Sequence, residues 1–323
     1  MGGMKKETKI VDAARAHAVP AALEWPEGVE RAGAAEDAAW ECPGELVSFA
    51  TAPDRKGHVR RLDGFWREAG KGTPVLCFVH GMGSNFYRSR LKKAFLEAGP
   101  EFGFSVLSFN NAGAESGTEN EDFRETLRDL DAAVAYGRRR GHRTVVWVGH
   151  STGCQKSVWW LDRRRPAGRT AVALLAPADD NAIIRQQLGR RFAARVEWAR
   201  RQVAAGRPEA PVPGLYERFG ARRFLSVADP RQTEAGLFRY DGPLTCFRRV
   251  ACPVLAVFGA EEEFAPVPPG EMLSILARRT RSARFGSWLV PATGHGFRGC
   301  EDALARETCR WLAAALKGRR AEP

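Results

Sequence analysis

The stretch Thr144-Val145-Val146-Trp147-Val148-Gly149-His150-Ser151-Thr152-Gly153-Cys154 decides how the rest of the chain is read. Its first five residues are β-branched, apolar or both, the mark of a strand buried on both faces. A Gly-x-Ser-x-Gly turn follows, and a helical pattern opens at Cys154 and runs to Leu161. The turn needs its glycines because a serine on so sharp a strand-to-helix bend brings neighbouring backbone too close for larger side chains. Such a bend lifts the Ser151 hydroxyl to the end of the sheet and aims a helix N-terminus at it, as a nucleophile requires.

Working outward, similar apolar runs occur at 75–79, 104–109, 170–175, 254–258 and 285–290. Helical spacing separates them: Phe123, Leu127, Leu130 and Val134 lead up to Gly137, and Leu304, Thr308, Trp311 and Leu312 form a terminal helix. Before the series, Leu46-Val47-Ser48-Phe49-Ala50 alternates as a half-buried strand and can pair with 58–66 as a hairpin. The order predicts an α/β fold: a mostly parallel twisted sheet of about eight strands with helices on both faces. Residues 1–44 read as an N-terminal arm, and 45–176 with 253–323 as the core. Residues 177–252 are too long for a crossover and read as an inserted helical cap. That insertion carries the amphipathic set Ile184, Leu188, Phe192 and Val196, then prolines at 208, 211 and 213.

Composition narrows the function classes. With 44% hydrophobic and 27% charged residues in 323, the chain is neither disordered, collagen-like nor a coiled coil. No apolar run reaches the length of a membrane span, and Asp12, Arg15 and His17 interrupt the place of a secretory leader. The net charge of +12 comes from arginines spread along the chain in runs no longer than three, so a solvated surface is expected and nucleic acid is not. Seven cysteines, an odd number without Cys-x-x-Cys or metal-ligand spacing, predict a reduced, cytoplasmic chain with no metal site and no cofactor.

The run 75–79 leads into His80-Gly81-Met82-Gly83, the loop position that supplies one oxyanion N–H to such a serine; the residue after the nucleophile supplies the other. Those donors are Met82 and Thr152. His80 precedes Ser151 and ends a buried run, so a hydrogen-bonded structural role is expected for it. His295 is the sole histidine after Ser151, beyond the last strand, and is the candidate base. The acid is expected in Gly259-Ala260-Glu261-Glu262-Glu263, with Glu262 first and Glu263 next; Asp179 and Asp180, after the sixth strand, remain alternatives.

These residues resemble the α/β-hydrolase superfamily from about Glu45 to the terminal helix. More narrowly, residues 149–155 and Ala176-Pro177-Ala178-Asp179-Asp180 are similar to a hydrolase family that includes fungal siderophore esterases and bacterial relatives. Phe109-Asn110-Asn111-Ala112-Gly113 resembles that family's Asn-Asn-Arg-Gly turn, with Ala112 in place of the arginine. The resemblance implies Ser151 as nucleophile, His295 as base, Met82 and Thr152 as oxyanion donors, and Glu262 where the family usually carries aspartate. The expected activity is cleavage of a small-molecule carboxylic ester, lactone or thioester through an acyl-enzyme. Acyl transfer or cyclisation from the same intermediate, and a non-catalytic binding protein on this fold, are the alternatives. Six arginines between Arg185 and Arg201 against one acid, Glu197, point to an anionic or strongly polar acyl substrate.

Overall fold

The computed structural model describes residues 25, 40–215 and 218–317, so most of the expected N-terminal arm lies outside the described residues. Each apolar run forms a strand. The hairpin comes first, with β1 (Glu45–Ala50) antiparallel to β2 (Arg61–Arg67), and Phe49 opposite Leu62. The parallel strands follow as β3 (Val75–Val79), β4 (Ser105–Phe109), β5 (Val145–His150), β6 (Val172–Leu175), β7 (Val254–Gly259) and β8 (Phe285–Val290). They lie in the order β1-β2-β4-β3-β5-β6-β7-β8, with only β1–β2 and β2–β4 antiparallel. In β3, β4, β6 and β7 every residue is buried, so both faces of the sheet are covered, as continuous apolar runs require.

Among the helices, α1 is Arg90–Glu101, α2 is Thr126–Arg139 and α3 is Thr152–Arg164. Between β6 and β7 stand α4 (Asp180–Leu188), α5 (Phe192–Ala204), α6 (Ala221–Ala228) and the single turn α7 (Thr245–Arg248). After β7 come α8 (Pro269–Arg279) and α9 (Glu301–Lys317). Arg90 of α1 reaches Asp302 of α9 at 2.6 Å, fastening the first helix to the last.

The set Ile184, Leu188, Phe192 and Val196 does not form one continuous helix. Gly189 adopts a positive φ of 49° and a short 3₁₀ turn, Gly189–Arg191, separates α4 from α5. The apolar stripe survives the break because both pieces turn the same side inward. Ile184, Leu188 and Val196 join Val212, Phe219, Phe224 and Leu225 in an apolar cluster separate from the sheet core.

Candidate active site

Ser151 directly follows β5 and caps α3 with φ 56° and ψ −129°, a conformation that costs a non-glycine residue roughly 1–3 kcal/mol. The flanking glycines are steric requirements. A Cβ on Gly149 would lie 2.5 Å from the Gly153 carbonyl oxygen, and one on Gly153 would collide with the Val79 carbonyl. A Cβ on Gly81 would lie 2.8 Å from that of Ser151, so the His80–Gly83 loop passes directly over the nucleophile.

Thr152 is the first residue of α3, where helix geometry leaves the N–H without an intrahelical acceptor. The second expected donor is aimed by its neighbours. His80 is buried, its Nδ1 lies 2.7 Å from the Gly81 carbonyl, and its Nε2 accepts from the Asn111 N–H at 3.1 Å. Burial and the nearby Lys156 charge hold the imidazole well below its usual pKa, so it is neutral and Nδ1–H donates. With the Gly81 carbonyl held, the trans peptide turns the Met82 N–H to the opposite side. His80 thus has the hydrogen-bonded role expected of it.

His295 and Glu262 come together. Glu262 Oε1 accepts from His295 Nδ1 at 2.7 Å and from the Phe264 N–H at 3.2 Å, and the Glu262 side chain is 1% exposed. Glu263 is not on the imidazole: its carboxylate accepts the His295 backbone N–H at 2.7 Å and so fixes the loop rather than the ring. Asp179 caps α4, accepting from Ala182 N and Tyr240 N at 2.8 and 3.0 Å. Burial raises its pKa to about 6. Asp180 lies 3.5 Å from the Thr152 hydroxyl, and burial raises its pKa too. Of the four carboxylates open from sequence, only Glu262 bonds the His295 ring.

Two residues beside the site were not singled out from the sequence. His150, the variable position before Ser151, places Nε2 2.8 Å from the His295 carbonyl oxygen. Burial depresses its pKa to about 3, so a neutral Nε2–H donates and ties the histidine loop to the serine turn. Phe264, 45% exposed, stands edge-on to the His295 ring at 4.8 Å. The sequence signal for both was no more than adjacency to a motif.

The Asn-Asn-Ala-Gly turn is held by a lysine from α3. Lys156, fully buried on α3, puts its ammonium 2.6 Å from the Ala112 carbonyl and 2.7 Å from both Asn111 Oδ1 and Glu121 Oε1. Of the six arginines in 185–201, Arg185, Arg190, Arg191 and Arg201 are exposed, and Arg200 is paired to Asp229 at 2.5 Å. A cleft of about 480 Å³ lined by Arg163, Thr233, Arg239 and Arg249 includes none of the site residues. Among the described residues no group of His, Cys, Asp and Glu could hold a metal ion, and none of the helices is long and apolar enough to cross a membrane.

Comparison with known proteins gives the same architecture. Residues 78–307 match the family described as the alpha/beta hydrolase family. No curated protein matches the chain. Among solved structures, a putative hydrolase from Agrobacterium vitis S4 superposes with TM-score 0.61 at 16% identity, covering 84% of this chain and 99% of its own. A thermostable carboxyl esterase from Bacillus coagulans gives 0.61 at 11% identity, with 85% and 100% covered. The siderophore hydrolase EstB from Aspergillus fumigatus gives 0.58 at 17%, with 85% and 99% covered. At such identities the likeness is one of fold.

Proposed function

We propose that this chain, which belongs to the α/β hydrolase family, is a serine esterase acting on a small-molecule carboxylic ester, lactone or thioester. The observation that carries the reading is the 2.7 Å Glu262–His295 pair, tied through His150 to the turn that presents Ser151. His295 takes the Ser151 proton through Nε2 as Oγ attacks the carbonyl carbon, and Glu262 holds the ring with Nδ1–H facing away and stabilises the imidazolium. The tetrahedral oxyanion is received by the Met82 and Thr152 N–H groups. Collapse expels the alcohol, protonated by His295, and a water activated by the same imidazole releases the acid.

The segment 177–252 serves as the cap that shapes the substrate space. Support comes from its separate apolar cluster and from Met82, whose side chain packs against that cluster. Neutral acyl groups fit this reading better than strongly anionic ones, because four of the six arginines between 185 and 201 are solvated. The test is hydrolysis of a panel of p-nitrophenyl and aliphatic esters by the full chain, with Ser151→Ala as control. Release of free acid that needs Ser151 supports the proposal; Ser151-independent turnover contradicts it. An added alcohol that diverts the acyl group into a new ester would assign the enzyme to transfer instead.

A further inference from the structure

Arg223 of α6 is 1% exposed and lies at the inner face of the segment assigned above as the cap. Its Nε is 3.0 Å from Glu121 Oε2, while Glu121 Oε1 is 2.7 Å from Lys156 Nζ; all three side chains have no solvent exposure. Taking three charges out of water is expensive, and apolar residues of similar volume stabilise a core as well or better. Such a triad is therefore weak evidence for stability and suggests a role in position.

The charges connect to the oxyanion loop without a gap. From Arg223 the contacts run to Glu121, to Lys156 Nζ, and on to Asn111 Oδ1 at 2.7 Å. The Asn111 N–H then meets His80 Nε2 at 3.1 Å, and His80 Nδ1 holds the Gly81 carbonyl at 2.7 Å. The next atom along that peptide is the Met82 nitrogen. A second contact joins the same two regions, because the Met82 side chain packs on the apolar cluster that contains Phe224, the neighbour of Arg223. Other ties between the segment that carries Glu121 and the cap are the Gly220 N–H on the Glu119 carbonyl at 2.7 Å and two side-chain pairs with exposed arginines, Arg222–Asp122 at 3.6 Å and Arg124–Glu234 at 2.6 Å. Of these side-chain pairs, the one made by Arg223 continues inward, through Glu121 to Lys156.

We infer that Arg223 is a positioning residue for the oxyanion hole: through Glu121, Lys156, Asn111 and His80 it sets the Gly81–Met82 peptide, so seating the cap and aiming the Met82 N–H are one event. The inference rests on the esterase reading of Ser151. It separates Arg223 from the substrate-binding surface: the side chain acts on the developing oxyanion and not on ground-state binding.

The test uses the full chain, an activated aryl ester, and an alkyl trifluoromethyl ketone, which adds Ser151 Oγ to its carbonyl and places the resulting oxyanion in the hole. Arg223→Gln should lower kcat by about ten- to a hundredfold, less than the 10²–10³ lost with a whole oxyanion donor. KM should stay within about threefold, and ketone affinity should fall by the same factor as kcat/KM. Arg223→Lys, which keeps the charge, should recover most of the loss. A folded Arg223→Gln protein with kcat within about twofold of the parent overturns the inference, as does a loss confined to KM or one the ketone does not share. Should Arg223→Gln not fold, Ser226→Ala decides, because it deletes only the hydroxyl 2.7 Å from Arg223 Nη1. A loss of about two- to tenfold in both kcat and ketone affinity is expected there, and no change in either overturns the inference. Parent protein without Ser151-dependent hydrolysis would refute the esterase reading itself, whereas an active parent with a normal Arg223→Gln variant refutes the relay alone.

Discussion

Replacing Glu262 by glutamine keeps the shape of the site and removes its charge. In the parent, Oε1 receives two N–H donors, His295 Nδ1 at 2.7 Å and Phe264 N at 3.2 Å, while Oε2 is buried without a hydrogen-bond partner among the described residues. If the glutamine oxygen takes the Oε1 place, both bonds survive and the imidazolium formed during attack loses only its counter-charge. Two unit charges about 4 Å apart at an effective dielectric near 20 attract by about 4 kcal/mol. At roughly 1.4 kcal/mol per decade, that is close to three decades of rate. If the amide turns over, its NH₂ faces Nδ1, the proton shifts to Nε2, and the ring can no longer accept from Ser151; that state loses up to about 10⁴, by analogy with serine proteases. We therefore expect kcat for an activated ester to fall by about 10³–10⁴ in Glu262→Gln. Glu263→Gln, which perturbs only the bond to the His295 backbone, should lose far less. Steady-state kinetics on folded variants measure both. A Glu262→Gln enzyme within about tenfold of the parent, with Asp180→Asn inactive, would move the acid to the end of β6 and refute the assignment.

His150→Ala removes the bond that ties the His295 loop to the serine turn, and should lower kcat by about two- to tenfold while Tm changes little; unchanged kcat would remove the tether. Asp179 has a folded pKa raised by burial to about 6 from 3.8, so its contribution to stability is present at acid pH and lost as pH rises through about 6. Relative to Asp179→Asn, the parent should thus lose thermal stability between pH 5 and 7.5, and a constant difference in Tm would contradict that sign. Neutral and anionic esters with the same leaving group should respond alike to ionic strength, since four of the six arginines in 185–201 are exposed. A selective fall in kcat/KM for the anionic ester at high salt would show that arginine steering operates.

The sheet was legible because strands buried on both faces are mostly apolar, which makes β3 to β8 conspicuous as runs even though β4 and β8 carry buried serines. The serine turn was legible because Gly149 and Gly153 admit no Cβ, so sterics write the motif directly into the sequence. The acid could be ranked but not fixed: Glu262 came first, with Glu263, Asp179 and Asp180 still open. Glu261, Glu262 and Glu263 are chemically alike, and which one meets Nδ1 depends on how the chain turns after Gly259. The α4–α5 break escaped because Leu188 and Phe192 keep helical spacing across Gly189. Glu121, Lys156 and Arg223 lie far apart in sequence, and nothing local announces that three charges will share one interior. A lysine among the buried residues of α3 was the single available hint.

An active-site-directed label tests whether Ser151 is a nucleophile activated by His295. The full chain is treated with a fluorophosphonate, its intact mass is measured, and the modified residue is located by peptide mapping. One phosphonyl adduct per chain on Ser151 is predicted, absent in Ser151→Ala and formed far more slowly in His295→Ala. Stoichiometric labelling at another residue, or ester hydrolysis that persists in Ser151→Ala, would contradict it.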